Sequence, residues 1–172
     1  MDILYCRYGC CKLETKQYTG HQFFSGKRRR KAGVFIYDPA TESILLVQSR
    51  GNLWGVPKGS IDYGETERVC AVREVKEETG LEVKPEQFSG MAKMKNKAIY
   101  FYLEMPKCEV TVQDHVDDND ANGIGWVKLD CLEDFLKTDA VSVNKHCRAM
   151  CQKFLGKELP EDRFQLVDNK RN

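Results

Sequence analysis

No apolar run in this 172-residue chain approaches the ~20 residues a helix needs to cross a bilayer, so a helical membrane span is excluded and no membrane partner is expected. Net charge is nearly absent too. Lys and Arg number 27 against 26 Asp and Glu, a balance of +1, so no global field draws the chain onto nucleic acid or lipid, and any basic surface must be local. The opening stretch, MDILYCRYGCCKLETK, lacks the continuous apolar segment of a secretory signal. The protein is therefore expected to work inside the cell, in the cytoplasm. Internal repeats and low-complexity segments are absent as well. What is left is an ordinary globular composition, with length enough for one domain and a proper core.

Cysteine, by contrast, is plentiful: Cys6, Cys10, Cys11, Cys70, Cys108, Cys131, Cys147 and Cys151. Without a secretory signal a disulfide framework is not expected. Cys6/Cys10 and Cys147/Cys151 each have a four-residue step, the second pair with His146 beside it. That step is a poor zinc spacing, and the pairs lie far apart in sequence. Since Cys is among the most often buried residue types, the expectation is buried free thiols rather than zinc.

Along the chain, AGVFIYD and SILLVQSR are apolar, β-branched runs parted by PATE, which predicts a β-hairpin. GNLWGVPKGS reads as a Gly- and Pro-punctuated loop with a short strand inside it. Residues 66–79 predict a helix stopped by Gly80. Strands are expected at FSGMAKMKN, with a turn near Asn96, then at AIYFYLEM and IGWVKL. A short helix is expected at CLEDFLK and a final one from Ser142 to about Lys157. The interleaving predicts an α/β fold with a mixed sheet between helices. Three parts are read: an N-terminal extension over 1–30 with a basic end, a domain over 31–158 that includes the final amphipathic helix, and a polar tail over 159–172.

The segment from Gly59 to Leu81 crowds together Asp62, Glu65, Glu67, Glu74, Glu77 and Glu78. At roughly 100° per residue, Glu74, Glu77 and Glu78 fall at i, i+3 and i+4 on one helix face, with Glu67 in the same arc. Val69, Val72, Val75 and Thr79 form a stripe on the other side, expected to pack on the sheet. Bunched carboxylates repel one another, and Arg73 cannot neutralise the whole set. Spacing alone leaves two readings open, a solvated acidic face or a site for a hard divalent cation.

Read in full, the segment is G-x5-E-x7-R-E-V-x-E-E-T-G-L, from Gly59 through Glu65, Arg73, Glu74, Glu77, Glu78 and Gly80 to Leu81. This resembles the Nudix box, the signature of hydrolases that cleave a nucleoside diphosphate linked to another moiety. The resemblance extends over about residues 31–138. It implies an α/β/α sandwich with a mixed sheet, the box forming a catalytic loop–helix–loop. It implies Mg²⁺ or Mn²⁺ held by Glu74, Glu77, Glu78 and the carbonyl of Gly59, with Glu74 as ligand or proton acceptor. Arg73 would hold a glutamate in place and Glu65 would brace the loop. A further carboxylate is implied in the acidic loop before Trp126, at Asp120, with Asp117 or Asp118 as alternatives.

The approach LWGVPKGS and the helix CAVREVKEETGL are most similar to the catalytic domain of mRNA-decapping enzymes, which release methylated guanosine diphosphate from capped RNA. Lys58 would face the substrate phosphates. The basic run of Lys27, Arg28, Arg29, Arg30 and Lys31 suits a polyanion, as do Lys145, Arg148, Lys153 and Lys157 on the final helix. Trp54, Tyr63, Tyr100 and Tyr102 are candidates to stack a base. Cellular decapping enzymes carry a helical regulatory domain before this core, and thirty residues cannot supply one, so the resemblance implies a minimal type of viral kind. The alternatives are a dinucleoside or diphosphoinositol polyphosphate hydrolase and, in another class, a non-catalytic RNA-binding protein on the same scaffold.

Overall fold

The computed structural model describes residues 1–17, 29–49, 53–95, 97–114 and 121–161. At its centre are long strands whose side chains alternate between two cores. β3 (Lys31–Asp38) and β4 (Ser43–Ser49) run antiparallel, with Tyr37 opposite Ile44. Phe35, Ile44 and Leu46 turn to one side, and Val34, Ile36, Leu45 and Val47 to the other. A strand buried on both faces reads as a continuous apolar run, which is how VFIYD and SILLVQ look.

β8 (Ala98–Glu104) lies parallel to β3, from Lys31 opposite Ala98 to Tyr37 opposite Glu104, and β7 (Gly90–Lys93) pairs antiparallel beyond it. On the other flank β9 (Ala121–Lys128) pairs antiparallel with β4. The sheet is mixed, as the interleaved pattern predicts. One helix, α1 (Glu67–Thr79), packs against the face of Val34, Leu45 and Ile99. Two others, α2 (Leu129–Lys137) and α3 (Lys145–Leu155), bury Leu132, Phe135, Leu136, Cys147, Met150 and Cys151 against the opposite face. This is an α/β/α sandwich.

Two regions differ from expectation. The final helix starts at Lys145, not Ser142. Ser142 and Val143 instead form β10, a short strand parallel to β5 (Leu53–Gly55), and Asn144 caps the helix by accepting the Cys147 N–H. In the N-terminal stretch, where no element is predicted, β1 (Asp2–Tyr5) and β2 (Lys12–Thr15) form a hairpin, and β2 joins the sheet beside β9. The expected turn at Asn96 lies outside the described residues.

The candidate site arises where the sheet splays. The second half of β3 pairs with β4, but its first half pairs with β6 (Lys58–Ser60), placing Gly59 opposite Ala32 and Lys58 opposite Gly33. The loop leading to α1 thus hangs from the open end of the sheet.

Candidate active site

α1 is pinned at both ends. Thr66 accepts the Val69 N–H, and Gly80 closes the helix at φ 75°, donating to the Lys76 carbonyl. A positive φ of this kind favours glycine. The buried face is turned from the wheel's expectation but not opposite to it. Of the expected stripe, Val75 and Thr79 are buried and Val72 packs on the same core, whereas Val69 is 53% exposed. Glu74 and Glu78 join that buried arc with Cys70 and Ala71, because their carboxylates meet Gly59 and Lys58.

Glu78 accepts the Lys58 N–H at 3.0 Å. Glu74 lies over Gly59 so closely that a Cβ there would stand 1.9 Å from its Oε1. Arg73 ties the cluster together. It grips Glu65 with two bonds of 2.8 and 3.0 Å, donates to Glu74 at 2.9 Å and Glu77 at 3.1 Å, and reaches the Ser60 carbonyl at 3.0 Å. The Arg73 guanidinium holds the Glu65 carboxyl below its ordinary value, and Glu65, more than any other group, raises Arg73 in return. Cys70, whose thiol burial pushes up to about 12, stays protonated and points at the carbonyls of Gly59 and Ser60. The structure therefore brings Gly59, Glu65, Arg73, Glu74, Glu77 and Glu78 into one cluster. Glu67 stands apart and pairs with Arg30.

These residues fit a hard divalent cation. The donors are carboxylate and carbonyl oxygens, and the space at Gly59 is one that any side chain would fill.

On the open side, the positive charges of Lys58 and Lys31 converge near His146, the first turn of α3. Burial first, then those two lysines, hold His146 below its ordinary value. Its Nδ1 lies 2.6 Å from the Tyr100 hydroxyl. The sequence shows His146 only as a neighbour of cysteines, and its meeting with Tyr100 and the charges of Lys58 and Lys31 comes from the fold. Arg29 is exposed, and Arg28 and Asp120, with Asp117 and Asp118, lie outside the described residues. Among the proposed base platforms Trp54 and Tyr100 are core, Tyr102 stacks on Phe154, and Tyr63 is fully exposed. On α3, Arg148 donates to the Leu159 and Pro160 carbonyls and Lys157, just past the helix, pairs with Glu133. Lys145 and Lys153 are the members of that basic set left exposed.

An α/β/α sandwich that sets an acidic helix against a glycine-bearing strand at the splayed end of a mixed sheet defines a hydrolase of the Nudix class. The family model described as NUDIX domain matches residues 27–148, and the chain belongs to that family. It is 34% identical over 140 residues to a protein named hydrolase 111R from Invertebrate iridescent virus 3, covering 78% of this chain and 82% of that one. It is 31% identical over 106 residues to the mRNA-decapping enzyme subunit 2 of Arabidopsis thaliana, covering 59% of this chain but only 28% of that longer protein. Among solved structures, the E. coli dihydroneopterin triphosphate pyrophosphohydrolase shares the fold with TM-score 0.52 and 20% identity, over 72% of this chain and 92% of that one.

Proposed function

We propose that this Nudix hydrolase is a divalent-metal-dependent pyrophosphohydrolase acting on capped RNA, from which it releases methylated guanosine diphosphate. The observation that carries the hydrolytic reading is the grouping of Glu74 against Gly59, Glu78 on the Lys58 N–H and Glu77 held beside Glu74 by Arg73. The choice of cap is supported by the similarity to a decapping subunit over 106 residues and by the basic residues Arg29, Arg30 and Lys31 that lead into β3.

Glu74, Glu77, Glu78 and the Gly59 carbonyl would hold Mg²⁺ or Mn²⁺. Bound there, the cation supplies charge neutralisation for a diphosphate and lowers the pKa of a water. The chain's own part is positioning. Arg73 fixes the rotamers of Glu65, Glu74 and Glu77. The Lys58 N–H orients Glu78. Lys58 and Lys31 receive the phosphates, and Arg28, Arg29 and Arg30 follow the RNA body. Asp120, in the segment before β9, is the proposed proton acceptor.

The test is a parallel assay of capped RNA, diadenosine tetraphosphate and a diphosphoinositol polyphosphate with Mg²⁺ and Mn²⁺, products identified by chromatography. Metal-dependent release of methylated guanosine diphosphate supports decapping. Rapid turnover of either small polyphosphate with the cap untouched would assign the basic edge to a small-molecule site. No turnover of any of the three would favour a binding protein.

A further inference from the structure

Outside the acidic site, the described residues bring four thiols together from two distant parts of the chain. Cys6, Cys10 and Cys11 sit in the turn between β1 and β2, and Cys131 in the first turn of α2. The Cys10 Sγ lies 3.5 Å from Cys6, 3.8 Å from Cys11 and 3.5 Å from Cys131, and all four sulfurs fall within 4.8 Å of one another. A tetrahedral zinc with Zn–S bonds of about 2.3 Å requires sulfur–sulfur edges of about 3.8 Å. A single disulfide would need one pair near 2.05 Å and would leave two thiols with no reason to gather.

The surroundings suit thiolates. The Cys11 N–H donates to the Cys6 sulfur at 3.3 Å, and the Lys128 N–H to the Cys11 sulfur at 3.3 Å. Cys131 lies in the first turn of its helix, at the positive end; burial and the neighbouring sulfurs push its thiol up, so the thiolate there calls for a bound cation. Cys10 also lines two depressions that carry charges of both signs, Lys12, Lys107 and Lys128 with Glu14, Glu42 and Glu109. The turn itself is shaped for the purpose. Gly9 has φ 70° and donates to the Cys6 carbonyl, and the Cys6 N–H donates to the Cys11 carbonyl, folding three sulfurs inward.

We infer that Cys6, Cys10, Cys11 and Cys131 bind one structural zinc ion that fastens the N-terminal hairpin to α2. Four protein ligands fill the coordination shell, so the site is closed and has no position for substrate. The ion would add to the hold that the fully buried Leu13 and the pairing of β2 with β9 provide. β2 meets β9 through two residue pairs, Glu14 with Ile124 and Thr15 with Gly123, and β1 touches only β2 within the sheet. An isolated two-stranded hairpin is marginal in water. The inference stands apart from the acidic site and does not depend on the substrate proposed above.

The test is the metal content of the full chain, purified without a chelating tag, by plasma emission spectrometry. The expected result is one zinc per chain in the wild type. X-ray absorption should show four sulfur neighbours at about 2.3 Å, and cobalt exchanged into the site should give strong sulfur-to-metal charge-transfer bands. Cys10→Ser and Cys131→Ser should each cut zinc content at least tenfold and raise amide exchange over residues 2–15. Cys10 is exposed, so its substitution opens no core cavity and keeps the test independent of folding. Cys108→Ser, and Glu77→Gln with Glu78→Gln, should retain full zinc. A wild-type chain that carries no zinc and takes up none when it is supplied would overturn the inference. So would iron in its place, or zinc lost with the glutamates instead of the cysteines.

Discussion

At the scale of single residues, the proposed function gives Gly59 and the three helix glutamates separable roles. A methyl group at position 59 would stand 1.9 Å from the Glu74 carboxylate, so Gly59→Ala must drive Glu74 off its present position. Turnover is expected to fall about a hundredfold or more, ~2.7 kcal/mol in the barrier. Glu77→Gln removes one anionic donor from a half-buried position that accepts a bond from Arg73. Activity is expected to drop by orders of magnitude, since metal charge stabilisation contributes several kcal/mol to such transition states. Glu78→Gln should do the same, but for a buried residue. A glutamine oxygen can still accept the Lys58 N–H, so circular dichroism should show the fold retained. Near-wild-type kcat in either variant at saturating Mg²⁺ would remove that carboxylate from the site.

At the scale of elements, α1 is the part most legible in the chain, because Thr66, Gly80 and the box residues each answer a local requirement that spacing displays. Which face it buries was half legible: Val75 and Thr79 of the expected stripe are buried, but Val69 is exposed and Glu74 and Glu78 are not. A wheel weighs hydrophobicity alone, and it cannot see that Glu74 and Glu78 find partners at Gly59 and Lys58 across the loop. The β1–β2 hairpin was hidden for another reason: its strands are four residues long, and its thiols answer to Cys131, some 120 residues away. The basic helix was half legible. Charge at Arg148 and Lys157 is plain in the sequence, but their engagement with the tail carbonyls and Glu133 belongs to the tertiary structure. For α1 itself, Thr66→Ala should cost about 1 kcal/mol of stability, the usual worth of an N-cap, read by urea denaturation. The loops and strand ends also carry an acid sensitivity. Bonds from Lys12 and Thr111 to Glu14, from Thr41 to Asp38 and from Arg73 to Glu65 hold these carboxyls below their ordinary values of 4.5, 3.8 and 4.5. The unfolded chain therefore takes up protons first as pH falls. Stability from these groups is complete above those values and is lost as pH drops through the lower, folded ones. Denaturation midpoints should hold steady from neutrality to about pH 5 and decline steeply below about pH 4. A flat profile into stronger acid would contradict the pairing.

At the scale of the whole molecule, a nearly neutral chain is expected to bind a polyanion only through one basic edge, where Arg29, Arg30 and Lys31 lead into β3 and Lys58 faces them from β6. If RNA is the substrate, capped RNA of some tens of nucleotides should be cleaved far more efficiently than a free cap dinucleotide. That advantage should shrink steeply with added salt, because each phosphate contact releases counterions. Neutralising Arg28, Arg29 and Arg30 together should weaken RNA binding, measured by filter retention, and leave dinucleotide hydrolysis in place. The proposed function rests on hydrolysis at the Gly59–Glu74–Glu77–Glu78 cluster. The most direct measurement is the product released from RNA labelled in its cap, with Mg²⁺ or Mn²⁺, by the wild-type chain and by Glu77→Gln side by side. Methylated guanosine diphosphate from the wild type, lost by orders of magnitude in the variant, is the predicted result. Release at equal rates from both proteins would contradict it.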